Sequence, residues 1–544
     1  MVKATDQSAM LEKNPAPSDS TTGSNGSTPV PVAIAEQDLE KHATTTGTGT
    51  ATAQQSNGPS PPTATVHDWD GPDDPENPLN WSLLKKSYHS LFPALQCLTI
   101  TFGASVITPS IPEIARHFDV SITAAIVTLT VYVIGLAFGP VVSAPLSETY
   151  GRRGAYLVFF PSSLFFTLGA GFAKNFGTLV VCRFFAGLLG SGCLAVGAGS
   201  NSDIFSPYQR AVSGVLFVMT PFLGPALGPA IGGYVAMKKG WRWTQWLTLF
   251  WGALSYAVTI PQQETYKKII LQRRAKKLGL PPAPSPLPPG MSPIKFLLIV
   301  TLLRPLRMLG TESIVAFTSI YTAFNFSVLF GFFAAFPLVF ESFYPEIQVY
   351  HFNEGESGLV FLGIGLGVVL GTLAFIGFDL FIYRKKMRSM MQNGQAGAGA
   401  GAGAVGEFVQ LPPEERLYAA MVGSFMLPIG LFWFAWSARP SVHWIVPVLA
   451  TIPFGMGNML VFCSGVCYLV DAYGPLMGAS AIAANALLRY VVGGVFPLFT
   501  IQMYRGMGVA WATSLFGFVT VGLLPIPWVL YKYGPIIRRR SAYT

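Results

Sequence analysis

Ionisable side chains are scarce in this sequence. Asp, Glu, Lys and Arg make up 11% of its 544 residues, against about a quarter in an ordinary soluble domain, too few to cover a water-facing surface. With 51% hydrophobic residues and a mean hydropathy of +0.46, the chain reads as an integral membrane protein. Cysteine is rare too, and all five, Cys97, Cys182, Cys193, Cys463 and Cys467, fall in apolar stretches. Cys463 and Cys467 lie one helical turn apart, but no His or carboxylate joins them, so small apolar packing is expected rather than a metal site or disulfide. The sequence has no Gly-Lys pair and therefore no phosphate-cradling loop for an ATP-driven pump; it has no H-E-x-x-H. "GAS" occurs at 103–105 and 478–480, but no His lies mid-span to activate either serine. These absences argue against an enzyme, and no cofactor or metal is expected.

The formal charge of +9 raises nucleic acid as a partner. The basic residues, however, sit in short clusters between apolar runs, which suits a membrane surface instead. Residues 1–86 are rich in Ser, Thr, Gly, Ala and Pro and read as a disordered tail. The tail's apolar patch "VPVAIA" (30–35) is too short and wrongly flanked for a signal peptide, and its sequons at Asn25 and Asn80 should carry no glycan on the cytosolic side. Beyond it, twelve apolar segments recur, each long enough to cross a bilayer core of about 30 Å. They divide into six-helix bundles at 87–261 and 312–531, separated by a cytosolic linker at 262–311. A low-complexity cytosolic loop occupies 383–415, and 532–544 forms a basic cytosolic tail. With both termini in the cytosol, 23 Lys/Arg from residue 85 onward fall on that side and seven on the other. The bias supports the orientation.

Internal duplication shows in "DIFSP" (203–207) after the fourth segment and "DAYGP" (471–475) after the tenth, each D-x-[FY]-x-P. A weaker pair is "SETYGRR" (147–153) with "FDLFIYRKK" (378–386). Two related bundles rocking about a central site would produce this pattern. In the fifth segment, "PFLGPALGPAIGG" (221–233) sets Gly224, Gly228 and Gly232 in one row, suited to close helix approach. Pro221, Pro225 and Pro229 form the adjacent row, each removing a helix hydrogen bond and favouring a bend.

With these motifs the chain resembles the major facilitator superfamily from residue 69 to its end. "APLSETYGRR" (144–153) is similar to the family's loop between spans two and three, with Gly151, Arg152 and Arg153 in place. It departs from the pattern at Ala144, usually Gly, at Glu148, usually Asp, and at Thr149, usually basic. A carboxylate at Glu148 would hold a neighbouring helix terminus or basic residue and latch one state. A loop obeying the charge bias explains the arginines equally well. "RFFAG" (183–187) resembles the next family motif and carries Arg183 and Gly187; the resemblance ties Arg183 to proton coupling, while a structural hydrogen-bonding arginine is the competing reading. Gly224, Gly228, Pro229, Gly232 and Gly233 match the span-five motif typical of drug:proton antiporters. "WDGPDDPENPLNWS" (69–82), "PQQETYKKIILQRRAKKLG" (261–279) and "PPEERL" (412–417) look like elements of the fungal twelve-span branch.

The resemblance implies an all-α membrane fold of twelve helices in two pseudo-symmetric six-helix bundles. It implies a monomer in the plasma membrane, or alternatively the vacuolar membrane, using the proton gradient as its energy source to export a small molecule. The conformational set is then Glu148, Gly151, Arg152, Arg153, Arg183, Gly187, Asp203 and Asp471. Arg183 and Arg489 are the basic residues well inside spans, and no acid lies at mid-depth. A polycationic cargo would require buried carboxylates, so an anionic or neutral amphiphile is the better fit, such as an organic acid or a secondary metabolite. Candidate cavity residues are Tyr132, Tyr321, Asn325, Asn485 and Arg489, with Phe332 beside them; a bond from Arg489 to backbone carbonyls is the competing reading. Aromatics cover every side of span seven (Tyr321, Phe324, Phe326, Phe330, Phe332, Phe333, Phe336), so some are expected to face lipid. An uptake symporter, an organic-acid exchanger and a non-transporting sensor of the same fold are the alternatives to export.

Overall fold

The computed structural model describes residues 68–280, 299–341, 348–392, 411–541 and 543. The tail through residue 67 with Asn25, the linker stretch 281–298 and the loop stretch 393–410 lie outside the described residues. Eleven helical stretches among them are long and apolar enough to cross a membrane. A twelfth, Trp241–Thr259, carries four tryptophans, Arg242 and several hydroxyls, which lower its hydropathy without preventing it from packing as a span. The membrane helices are α1 (Leu83–Ser105), α2 (Ile122–Tyr150), α3 (Arg152–Gly171), α4 (Phe176–Ile204), α5 (Pro207–Lys239), α6 (Trp241–Thr259), α7 (Ser313–Phe340), α8 (Glu354–Met390), α9 (Pro413–Ser437) and α10 (Ile445–Gly474). Positive φ at Gly474 and Gly508 separates α10 from α11 (477–507) and α11 from α12 (509–538). The result is the all-α, twelve-helix, two-bundle fold that the spans imply.

Because the helices alternate in direction, α1 begins and α12 ends on one side, here termed proximal. The two bundles meet at the opposite, distal end. There α5 packs on the start of α8, and α2 packs on α11, where Gln502 meets Thr123 Oγ1 at 3.0 Å. α5 runs as one uninterrupted helix through Pro221, Pro225 and Pro229.

The tail is not disordered up to residue 86 as composition suggests. Asp74 takes a two-pronged bond from Arg274 at 2.8 and 3.0 Å, Glu76 accepts from the same guanidinium at 2.9 Å, and Lys86 Nζ donates to the Leu79 carbonyl at 2.7 Å. This acidic stretch is thereby stapled to the helix Lys267–Lys277, with its partner 200 residues away.

The expectation that some span-seven aromatics face lipid is also overturned. Tyr321, Phe326, Phe330, Phe332, Phe333 and Phe336 are buried and Phe324 is partly so. Beyond the exposed Phe317 and Ile320 near its start, α7 is walled by other helices: Phe332 stacks on Phe336 (4.7 Å) and meets Phe454 of α10 (5.2 Å), while Phe336 meets Phe361 of α8 (4.7 Å) and Phe434 of α9 (5.4 Å). Over this stretch the helix is apolar all round and part of the core, and these rings pack against other helices instead of lipid.

Candidate functional site

At the proximal end one charged device is built twice. In the first bundle Arg152, opening α3, places Nε 3.2 Å from Asp203 at the end of α4 and donates to Ser147 Oγ at 2.8 Å. In the second, Arg416, opening α9, places Nε 2.8 Å from Asp471 at the end of α10 and also pairs with Asp379 at 3.3 Å. The two D-x-[FY]-x-P acids are therefore true counterparts. The counterpart of Arg152 is Arg416, however, and not the 384–386 cluster, of which Arg384 pairs with Asp379 at 2.7 Å.

The carboxylate on a helix terminus is Glu264, not Glu148. Glu264 accepts the backbone N–H of Arg152 at 2.8 Å and of Arg153 at 3.3 Å, an anion on the positive end of α3. Glu148 is exposed, with its charge near Tyr266. Gly151 has φ of 97°, and a Cβ there would collide with the Glu264 carboxylate, so both backbone conformation and space require glycine. Arg153 donates to the Ile260 carbonyl at 3.3 Å. Glu264 stands in the quoted "PQQETYKK", but nothing in the sequence pairs it with residues 112 positions earlier.

The span-five glycines lie in two contacts. The row Gly224, Gly228 and Gly232 faces α1, where a Cβ would strike Thr101, Ser105 and the Val106 carbonyl in turn, and Ser105 Oγ donates to the Gly224 carbonyl at 3.1 Å. Gly233 and Pro229 face the other bundle. A Cβ at Gly233 would strike the Glu354 carbonyl, and the Pro229 carbonyl meets Gly358. The motif thus forms part of the distal seam as well as an internal packing face.

The two arginines inside the spans differ in kind. Arg183 is 2% exposed and donates to three backbone carbonyls, Gly103 (2.7 Å), Ala104 (3.0 Å) and Thr128 (3.3 Å), above the Tyr132 ring at 4.2 Å. Tyr132 itself donates to the Ile100 carbonyl at 2.9 Å, and Gly187 packs against the Tyr132 carbonyl. Arg183 and Tyr132 therefore tie α1, α2 and α4 together and do not join the other cavity candidates.

Arg489, 7% exposed, makes no hydrogen bond or ion pair among the described residues, and its Nε is buried without a partner. Its guanidinium lies 4.8 Å from the Phe326 ring, 4.7 Å from Phe462 and 4.4 Å from Tyr490. Phe222 of α5 closes the group, 4.9 Å from Phe462, so both bundles contribute to this aromatic enclosure. One turn away Asn485 donates to Thr322 at 2.7 Å, tying α11 to α7. Asn325 on α7 is fully buried with neither amide atom bonded, and Tyr321 lies beside Ser424. Sequence reading missed Phe222 and Phe462 because lone aromatics in apolar spans carry no distinguishing signal.

This geometry has named relatives. Residues 94–497 match the family model described as Major Facilitator Superfamily. "Polyamine transporter 4" of Saccharomyces cerevisiae is 42% identical over 489 residues, covering 88% of this chain and 73% of that protein. "Major facilitator superfamily multidrug transporter mdrA" of Aspergillus fumigatus is 37% identical, covering 86% and 74%, and "Efflux pump FUB11" of Gibberella moniliformis is 38% identical, covering 87% and 76%. Among solved structures, the xylose transporter XylE from E. coli in a partially occluded inward-open conformation superposes with a TM-score of 0.56 at 13% identity, covering 82% of this chain and 99% of that one, a likeness of fold alone. The chain belongs to the major facilitator superfamily: it is a multi-pass membrane transporter, not an enzyme.

Proposed function

We propose that this transporter exports a small anionic or neutral amphiphilic molecule in exchange for protons, by alternating access between its two bundles. The observation that carries the cargo class is Arg489, a buried cation walled by ring faces from both bundles and lacking a counter-charge among the described residues. A carboxylate or other acidic group on the cargo would supply the missing charge, and the rings would cover its apolar body. The distal seam is closed, which suits the state that receives cargo from the proximal side. The bias of Lys and Arg supports the proximal side as cytosolic, and in this reading export runs across the plasma membrane.

The polyamine transporter among the relatives favours a cationic cargo instead. A polycation would need buried acids beside Arg489's enclosure to receive it, yet Asp203 and Asp379 are each held by an arginine at the proximal end and the buried Glu341 stands in the distal seam. Metabolite profiling of cells and medium after deletion and overexpression of the gene tests the direction. An organic acid or acidic metabolite should accumulate inside deletion cells; its depletion there indicates uptake, and accumulation of a polyamine indicates the cationic reading.

A further inference from the structure

The distal seam encloses a small cavity between the bundles. Ile111, Ile126 and Leu129 line it from one side and Phe333, Pro337 and Ile501 from the other. Into this apolar lining projects Glu341, the residue just past the end of α7 and 3% exposed. Its neighbour Ser357, in the first turn of α8, lies beside the carboxylate. That turn is the one pressed against α5, since Gly358 meets the Pro229 carbonyl and Gly355 lies 2.7 Å from the position of the Tyr234 ring if given a Cβ. Both bundles thus line the cavity that holds Glu341, so parting them would open it to water.

We infer that Glu341 is a proton-binding site whose occupancy is tied to the seam: the carboxylate takes a proton from distal water as the bundles close over it, and returns that proton to distal water when they part. No cation faces Glu341 among the described residues. The charged group nearest to it is Glu354 on α8, which in turn feels Glu113 and Arg116 beyond the end of α1; His117 and Arg242 of α6 stand beside Glu113. A buried acid beside a like charge favours its neutral form. Burial pushes the Glu341 carboxyl up to about 7, with Glu354 adding to the rise and Ser357 opposing it.

The sign follows from comparing the two states. In the parted state the carboxyl is hydrated and has the ordinary value of 4.5; in the closed state it is higher. Closure is therefore fully favoured below pH 4.5 and loses that support as pH rises toward 7. Over this range the opening constant should rise by up to about 300-fold. The inference rests on the alternating-access reading but not on the cargo or the direction of transport.

The test is the distance between spin labels at Thr123→Cys and Gln502→Cys, which flank the seam, measured by double electron–electron resonance in nanodiscs from pH 4.5 to 8 on a cysteine-free background. The full chain should show a short distance at low pH giving way to a longer one, and Glu341→Gln should stay short throughout. Glu354→Gln removes the neighbouring charge and should move the transition to lower pH. A transition retained in Glu341→Gln, absent from the parent, or unmoved in Glu354→Gln overturns the assignment. A clear transition in a protein that moves no organic acid would sink the cargo reading and leave this one standing.

Discussion

Replacing Arg489 with Gln should weaken binding of an acidic cargo by about 100-fold, with thermal stability unchanged or slightly raised. Truncating one side of a buried charge pair costs about 2–5 kcal/mol, which is roughly 30-fold to several thousand-fold in affinity. The stability part of the prediction comes from what the guanidinium touches. It is surrounded by three ring faces, each contributing about 0.5–2 kcal/mol, and holds no protein acceptor that its loss would orphan. An uncompensated buried charge is costly in the resting protein, so a neutral amide of similar reach relieves that cost. Binding isotherms and thermal melts of purified parent and variant check both halves. Unaltered affinity in a stable variant would remove Arg489 from the cargo site.

Arg183→Ala should behave in the opposite way. Three buried carbonyls, those of Gly103, Ala104 and Thr128, lose their donor together, and each orphaned group costs about 1–3 kcal/mol. The Tyr132 ring also loses the cation above it. A loss on the order of 3–5 kcal/mol is expected, enough to loosen the packing of α1 and α2 on α4 and to abolish transport through instability of the first bundle. Insertion should persist, since the spans are set by hydropathy. Arg183→Lys should recover little, because an ammonium cannot reach three carbonyls spread across two helices. Thermal melts and limited proteolysis of the purified variant check this. A normally stable but inactive Arg183→Ala protein would return Arg183 to a role in proton coupling.

The contrast between the two arginines shows what a sequence makes legible. Both stand out as rare charges in apolar spans, and residue type alone leaves each with the same pair of readings. Their fates are set by residues far along the chain: carbonyls on α1 and α2 satisfy Arg183, whereas Phe326, Phe462 and Tyr490 enclose Arg489 without bonding it. The twelve spans were legible because bilayer thickness imposes a length on each apolar run, and the two D-x-[FY]-x-P acids because duplication leaves matching local strings. Pairings such as Glu264 with the start of α3, or Arg274 with Asp74, join segments more than a hundred residues apart and leave no local trace. The same limit hid the enclosure of the rings from Tyr321 to Phe336 on α7. A ring facing lipid and a ring facing another helix are equally apolar, so hydropathy cannot tell them apart.

The most direct test of the account is transport by the purified protein in liposomes under an imposed pH gradient, with a panel of radiolabelled organic acids and polyamines. Acidic amphiphiles should cross only when protons move the opposite way, and Arg489→Gln should abolish that movement while spermidine stays untransported in both proteins. Gradient-driven movement of spermidine that is indifferent to Arg489→Gln would contradict the account.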